Sequence, residues 1–302
     1  MKRATMQNGG SADFLSRVLN ATGYFKGKER IADKVARLVQ SWSGRDQRLT
    51  LMDGKSIRID LNDRIQRLMW GGAYEPHVRR TLTALLRPGD TFVDVGAHIG
   101  FFSLIASSLV GSSGRVYAFE ANPDVFSKLL ANATAYPWLT ALSQAVWRES
   151  GAVSFSDPCH PEETGWGKLT AVRNEGHAVT VQATSLDDWH KSVEFRPIRA
   201  IKIDAEGSEE FILRGARRLI ESARPFLIVE LNDQLLRETG GGSMALVSAL
   251  REERYRIFSM GLARLEELHG FSNLICPEVL CFPADRFDEA QSVFKNYCTN
   301  RR

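Results

Sequence analysis

The run Thr91-Phe-Val-Asp-Val-Gly-Ala-His-Ile-Gly-Phe-Phe-Ser103 constrains the fold more than any other part of the chain. Thr91 to Val95 is an apolar stretch with one carboxylate, Asp94, and reads as a buried strand. Gly96 and Gly100 follow in a G-x-x-x-G turn, and Phe101 to Val110 reads as a helix that is apolar on nearly every side. A strand, a glycine turn and a helix start bring backbone N–H groups to where a nucleotide-like ligand can approach closely.

The acidic residue beside the glycines selects among such ligands. Asp94 would repel a pyrophosphate but suits a ligand carrying an ammonium group, such as the methionine end of S-adenosylmethionine. A second carboxylate fits the same ligand. Arg115 to Phe119 reads as the next strand and ends at Glu120, some twenty residues past the glycines, where an acid accepts hydrogen bonds from ribose hydroxyls. Taken singly, Gly96 could be a tight turn and Glu120 a capping acid before Asn122-Pro123. The order and spacing together favour the binding reading. A nicotinamide-dependent oxidoreductase would want G-x-G-x-x-G, which this segment lacks. A non-catalytic module that keeps the cofactor fold as a scaffold is the other alternative.

The sequence is 302 residues long and 43% hydrophobic, enough for one large core or two small ones. Its net charge of +3 makes no nucleic-acid footprint. Arg79-Arg80, Arg217-Arg218 and Arg301-Arg302 read as solvated helix faces and a tail. Cys159, Cys276, Cys281 and Cys298 have no C-x-x-C spacing, so neither a zinc site nor a disulfide framework is indicated. The first residues lack a signal-peptide core, and no stretch approaches the roughly 20 apolar residues of a membrane span. A cytoplasmic protein with no nucleic-acid or membrane partner is expected.

Along the chain, Arg30 to Gln40 has helical apolar spacing at Ile31, Val35, Leu38 and Val39. Leu49 to Ile59 reads as a hairpin around a two-residue Asp53-Gly54 turn. Helical segments are expected at 63–70 and 76–86. From there strands (91–95, 115–119, 139–146, 199–204, 225–231, 254–259, 273–282) alternate with helices (101–110, 123–135, 208–222, 242–253). That pattern implies a largely parallel, doubly wound α/β sheet with helices on both faces. Val153–Ser156 and Val179–Ala183 read as an extra hairpin around a long loop, 157–178, expected to be mobile and to border the acceptor pocket with Trp166.

A second informative run is Ala200-Ile-Lys-Ile-Asp-Ala-Glu-Gly-Ser-Glu-Glu210. Ile201 and Ile203 mark a core strand, Asp204 ends it and Glu206-Gly207 turns into a helix. Ligands in such sheets bind at the carboxyl ends of strands, so Asp204 and Glu206 should share an edge with Asp94 and Glu120. Glu209 and Glu210 are read as acids that merely favour a helix N-terminus. Lys202 is expected to pair with a carboxylate beneath the site. Asp204, Glu230 and Asn232 offer an oxygen set to Mg²⁺ or Ca²⁺, though a divalent metal is not required.

These residues resemble the FkbM family of S-adenosylmethionine-dependent methyltransferases. The matching pieces are Gly72-Ala-Tyr74-Glu75, Phe92 to Gly100, Ala118-Phe-Glu-Ala-Asn-Pro123, Thr184-Ser-Leu-Asp-Asp188, Ile201 to Glu209 and Leu213-Arg-Gly-Ala216. They span roughly residues 70 to 235 in the family's order, and the Ile-Lys-Ile-Asp-Ala-Glu-Gly segment is the most specific. His98 stands where the family more often has Asn. The resemblance implies a seven-stranded Rossmann-like class I methyltransferase sheet with an antiparallel last strand, over residues 70–302. Residues 1–69 would form an N-terminal extension of helices and a hairpin, an acceptor-side or homodimer element. It further implies O-methylation of a sugar or natural-product hydroxyl, with S-adenosylmethionine as cofactor. On this reading the cofactor contacts are Tyr74, Glu75, Asp94, Gly96, His98, Gly100, Ser103, Glu120, Ala121 and Asp204. The catalytic candidates are Asp204 first, as base, then Glu206 and His98, with Glu230 behind them.

Overall fold

The computed structural model describes residues 8–156, 168–170, 178–262, 264–270 and 277–299. Trp166, Cys159, Cys276 and most of the 157–178 loop lie outside the described residues, as does the beginning of the expected 273–282 strand. The chain divides into two compact units between Pro76 and His77.

In the first unit, helices α1 (Asn8–Ala21), α2 (Lys28–Ser43) and α3 (Arg64–Trp70) pack with the hairpin of β1 (Asp46–Thr50) and β2 (Ser56–Asp60). The face of α2 is turned by one residue from the expected one. Ala32, Ala36 and Val39 are buried, whereas Ile31 and Leu38 are exposed. Small residues win here because α3 closes tightly on α2: a Cβ on Gly71 would lie 2.4 Å from that of Ala32. The hairpin turn is also wider than two residues. Thr50 pairs with Ser56, and the loop is held by Leu51 N–H to Lys55 O and Gly54 N–H to Leu51 O, with Gly54 at φ 81°. A left-handed glycine closing a three-residue loop is a common hairpin solution.

The second unit starts with α4 (Pro76–Leu85) and contains β3 (Thr91–Val95), α5 (Phe101–Val110), β4 (Arg115–Phe119), α6 (Pro123–Ala133) and β5 (Leu139–Leu142). Next come β6 (Ala145–Val146), β7 (Gly151–Ser156), β8 (Lys168–Thr170), β9 (Ala178–Thr184), α7 (Leu186–Ser192), β10 (Ala200–Ile203), α8 (Glu209–Arg214) and α9 (Arg217–Ala223). The chain closes with β11 (Phe226–Glu230), α10 (Asp233–Glu238), α11 (Ser243–Glu252), β12 (Tyr255–Met260), β13 (Leu265–Glu267), β14 (Glu278–Pro283) and α12 (Phe287–Thr299).

The main sheet runs β13-β12-β14-β11-β10-β3-β4-β5. Strands β11, β10, β3, β4 and β5 are mutually parallel, and β14 inserts antiparallel between β11 and β12. This is the expected class I methyltransferase sheet, widened by the edge strand β13. The strand order reverses at β3, which makes the carboxyl ends of β3, β4 and β10 the switch point where ligands bind in such sheets.

Two expected elements are each broken in two. The 139–146 strand leaves the main sheet after Leu142, and Ala145–Val146 joins a second sheet, β6-β9-β7-β8, in which the expected β7–β9 hairpin sits. The 208–222 helix is interrupted at Gly215, where a Cβ would lie 2.4 Å from the carbonyl oxygen of Trp147. That carbonyl and Arg148 press on the chain, so the helix cannot run straight through.

One face of the main sheet is apolar throughout. Val93, Val95, Ile201, Ile203, Leu227, Val229 and Val279 pack there against Trp189, Ile212, Leu219 and Leu246. Side chains alternate along a strand. Asp94, Lys202 and Ile228 stand side by side in register and so face the other way.

Candidate active site

The turn after β3 is shaped by close backbone approach. Gly96 has φ 78°, and a Cβ on it would lie 1.8 Å from the carbonyl oxygen of Asp204. His98 is also left-handed, at φ 52°. Asn, Asp and His are the non-glycine residues that tolerate this region best, so His98 can hold the turn where most side chains could not. Its backbone N–H donates to Glu120 Oε2 at 2.8 Å, while Glu120 Oε1 accepts from Asn122 N–H at 2.8 Å. Glu120 therefore ties the loop after β3 to the loop after β4. Asn122, rather than Glu120, caps α6 through the N–H groups of Asp124 and Val125. Burial pushes the Glu120 carboxyl up to about 7.

Asp94 is 1% exposed. Its Oδ2 accepts a 2.5 Å hydrogen bond from Ser103 Oγ, and its Oδ1 is buried with no partner among the described residues. Burial pushes the Asp94 carboxyl up, opposed by the Lys202 charge and the Ser103 hydroxyl. An orphaned acceptor oxygen beside a glycine turn is what an ammonium donor would complete. Ser103 is fully buried, so it orients Asp94 and presents no surface of its own. Gly100, at φ 90°, starts α5.

On β10, Lys202 is buried and its Nζ lies 2.6 Å from Asp204 Oδ2, the pairing anticipated beneath the site. The same ammonium lies 5.2 Å from the Phe102 ring centroid. With Oδ2 held by Lys202, Asp204 is less available as a proton acceptor than an unpaired carboxylate. Glu206 has φ 51° and is followed by Gly207 at φ 97°, where a Cβ would meet the Leu235 carbonyl oxygen at 2.6 Å. Glu209 does more than favour a helix start. It is buried, and its Oε1 accepts from Ala205 N–H at 2.8 Å and Gly207 N–H at 3.3 Å, fixing the Asp204–Gly207 turn. Burial pushes it up to about 7. Glu210 pairs with Arg214 at the surface.

Glu230 follows β11 at the same edge. Burial, with Asp204 and Glu206 adding like charge, pushes its carboxyl up to about 10, which favours the protonated form and disfavours a role as base. Asn232 is committed elsewhere: its side-chain oxygen caps α10 at Leu235 N–H. The Asp204, Glu230 and Asn232 set is thus not free to act together as metal ligands, and among the described residues no group of three or more His, Cys, Asp and Glu could hold a metal ion. Ala121 packs against the core of the second sheet. Tyr74 and Glu75 belong to the first unit, where Tyr74 packs on Ala32, Leu68 and Ala73.

The raised carboxyls make stability pH-dependent in a definite direction. A glutamate that keeps its proton to about 10 when folded, but loses it near 4.5 when unfolded, favours unfolding progressively as pH rises through that window. Glu230→Gln should therefore melt several degrees above the wild type at pH 8, with the gap closing toward pH 5. Calorimetric melts across that range check it, and a constant gap would show that Glu230 is already ionised in the folded protein.

Asp94, Gly96, Glu120 and Asp204 are legible in the sequence because each lies at or near a strand end, next to a glycine or a proline turn. Two further groups carry no such mark: Glu278, which reaches the edge only because β14 runs antiparallel, and His77, whose Nε2 lies 2.6 Å from Glu278 Oε2 across 201 residues of chain. No local pattern marks a pair so far apart.

The model of the FkbM methyltransferase domain matches residues 94–257, just over half of the chain. AglP, the hexuronic acid methyltransferase of Haloferax volcanii, is 32% identical, with 52% of this chain and 62% of that protein covered. FkbM, the 31-O-demethyl-FK506 methyltransferase of Streptomyces tacrolimicus, is 31% identical, with 43% of this chain and 60% of that one covered. The matches thus span about three fifths of each relative's length. Among solved structures, a methyltransferase FkbM from Methylobacillus flagellatus KT is 16% identical at a TM-score of 0.41, covering 84% of this chain and 58% of its own. The matched stretch begins at Asp94 and runs through Glu120, Asp204 and Glu230, and with it the chain belongs to the FkbM family of methyltransferases.

Proposed function

We propose that this methyltransferase uses S-adenosylmethionine and methylates a hydroxyl of a sugar or natural-product acceptor. The buried, unpartnered Oδ1 of Asp94 beside the Gly96 turn is the observation that most supports the cofactor. The acceptor class rests on the relatives, one named for a hexuronic acid and one for the natural product FK506. The nicotinamide alternative loses its ground with the family established.

When bound, S-adenosylmethionine supplies an electrophilic methyl group on a sulfonium. Asp94 would receive the ammonium group, its orientation fixed by Ser103. Glu120 keeps lone pairs for two hydroxyls while its oxygens hold the loops after β3 and β4. Gly96, His98 and Gly100 shape the turn between them, and Ala121 completes the proposed cofactor set in this unit. Asp204 has Oδ2 held by Lys202 and Oδ1 without a hydrogen bond among the described residues. That oxygen can orient the acceptor hydroxyl for in-line attack, with Glu206 beside it. Alignment of this kind supplies a large part of the acceleration of a displacement.

Titration calorimetry with S-adenosylmethionine and with NAD tests the reading, the first binding and the second not. Glu120→Ala should weaken S-adenosylmethionine by about 1.5–3 kcal/mol, since an acceptor of charge-assisted hydrogen bonds is lost. Unchanged affinity in a variant that melts normally would remove Glu120 from the ribose role.

A further inference from the structure

We infer that His77 is the base that takes the acceptor hydroxyl's proton and that Glu278 positions its ring. The inference rests on the O-methylation reading above.

Register places the pair at the reaction edge. Ile203 stands beside Val229, so Asp204 and Glu230 follow side by side, and Glu230 is paired with Glu278 on β14. Neighbouring strands lie about 4.8 Å apart, which puts the Glu278 backbone roughly 10 Å from that of Asp204. Strand alternation keeps Lys202, Ile228, Glu230 and Glu278 on the face opposite the apolar one. The carboxyl edge thus reads Glu120, Gly96, Asp204, Glu230, Glu278 across adjacent strands, from the proposed ribose side outward. His77, at the start of α4, closes that row.

The pair is built to hold a ring in one orientation. Glu278 is 9% exposed at its side chain and His77 13%, so both groups are largely enclosed. Thr81 Oγ1 donates to the His77 carbonyl at 2.9 Å and steadies the helix start. With Nε2 on Glu278, the other ring nitrogen, Nδ1, has no hydrogen bond among the described residues. Burial pushes the Glu278 carboxyl up, but the hydrogen bond and charge of His77 outweigh it and hold the group below its ordinary value. The competing acids are weakened as bases: the Asp204 charge is balanced by Lys202, and each Glu120 oxygen already accepts from a backbone N–H.

In the step, the acceptor O–H bond breaks and its proton goes to His77 Nδ1. The oxygen forms a bond to the methyl carbon, and the carbon–sulfur electron pair returns to sulfur. The imidazolium is balanced by Glu278 until the proton leaves to water. Carboxylate-held histidines act as bases by this logic, the acid fixing the tautomer.

Nitrogen-15 NMR of the full chain labelled at histidine, with His77 assigned by its loss in His77→Gln, tests the pair without turnover. At pH 8 with S-adenosylhomocysteine present, His77 should be neutral, protonated at Nε2 and bare at Nδ1, and Glu278→Gln should abolish that preference. A ring protonated at Nδ1, or at both nitrogens, at pH 8 overturns the inference. In parallel, methyl transfer to phenyl glucuronide should fall at least a hundredfold in kcat for His77→Gln and Glu278→Gln, with S-adenosylmethionine affinity near that of the wild type and a melting point lowered for His77→Gln, which leaves the enclosed Glu278 carboxylate without its partner. Turnover of His77→Gln within threefold of wild type overturns the inference alone. A wild type that fails to bind S-adenosylmethionine overturns the reading beneath it.

Discussion

Asp204→Asn should slow methyl transfer by about 10²–10³ while leaving S-adenosylmethionine binding near normal. The substitution keeps the shape of the side chain and removes its charge, so the acceptor hydroxyl is no longer oriented by an anionic oxygen, and losses of this size are typical for one such group. The variant also deprives the buried Lys202 ammonium of its 2.6 Å partner. Removing one member of a buried pair costs stability because the other charge is left uncompensated. Lys202→Met in the Asp204→Asn background should therefore restore melting without restoring rate. Single-turnover kinetics alongside calorimetric melts separate the two effects. Wild-type turnover in Asp204→Asn would assign the residue a structural role only. Chelator treatment of the wild type should leave the rate unchanged, and a loss would reinstate a metal at this edge.

Gly96→Ala should abolish cofactor binding and cost more than about 4 kcal/mol of stability, at the exceptional end for a single substitution. Two penalties add. The residue sits at φ 78°, and its Cβ would lie 1.8 Å from the Asp204 carbonyl oxygen. That oxygen belongs to backbone, anchored by Asp204 N–H to Val95 O at 3.2 Å, so relief requires parting β3 from β10 at the switch point. Gly54→Ala is the control. It has a similar φ of 81° but meets nothing within 4 Å, so it should cost only about 1 kcal/mol. Denaturant unfolding of both variants gives the comparison, and equal costs would show that β3 and β10 yield easily.

The strand ends were legible where chemistry and punctuation coincide. Asp94, Glu120 and Asp204 each interrupt or end an apolar run and stand next to a glycine or a proline turn. The breaks within 139–146 and 208–222 were not legible, because what divides them is contact with distant backbone. Gly215 looks like any helix glycine until Trp147 and Arg148 are brought against it. The α2 face was misread for a related reason: periodicity ranks Ile31 and Leu38 above alanine, but close helix packing selects Ala32 and Ala36.

By itself the sequence determined the parallel core, the glycine turn and the family, since each depends on residues within a few positions of one another. The tertiary structure alone decided which carboxylates are charged and which partners they meet. Burial pushes the Glu230 carboxyl up, Lys202 claims Asp204, Glu209 holds a turn rather than a dipole, and the antiparallel β14 carries Glu278 to His77. Charge state depends on desolvation and on neighbours across strands, and both exist only once the sheet has formed.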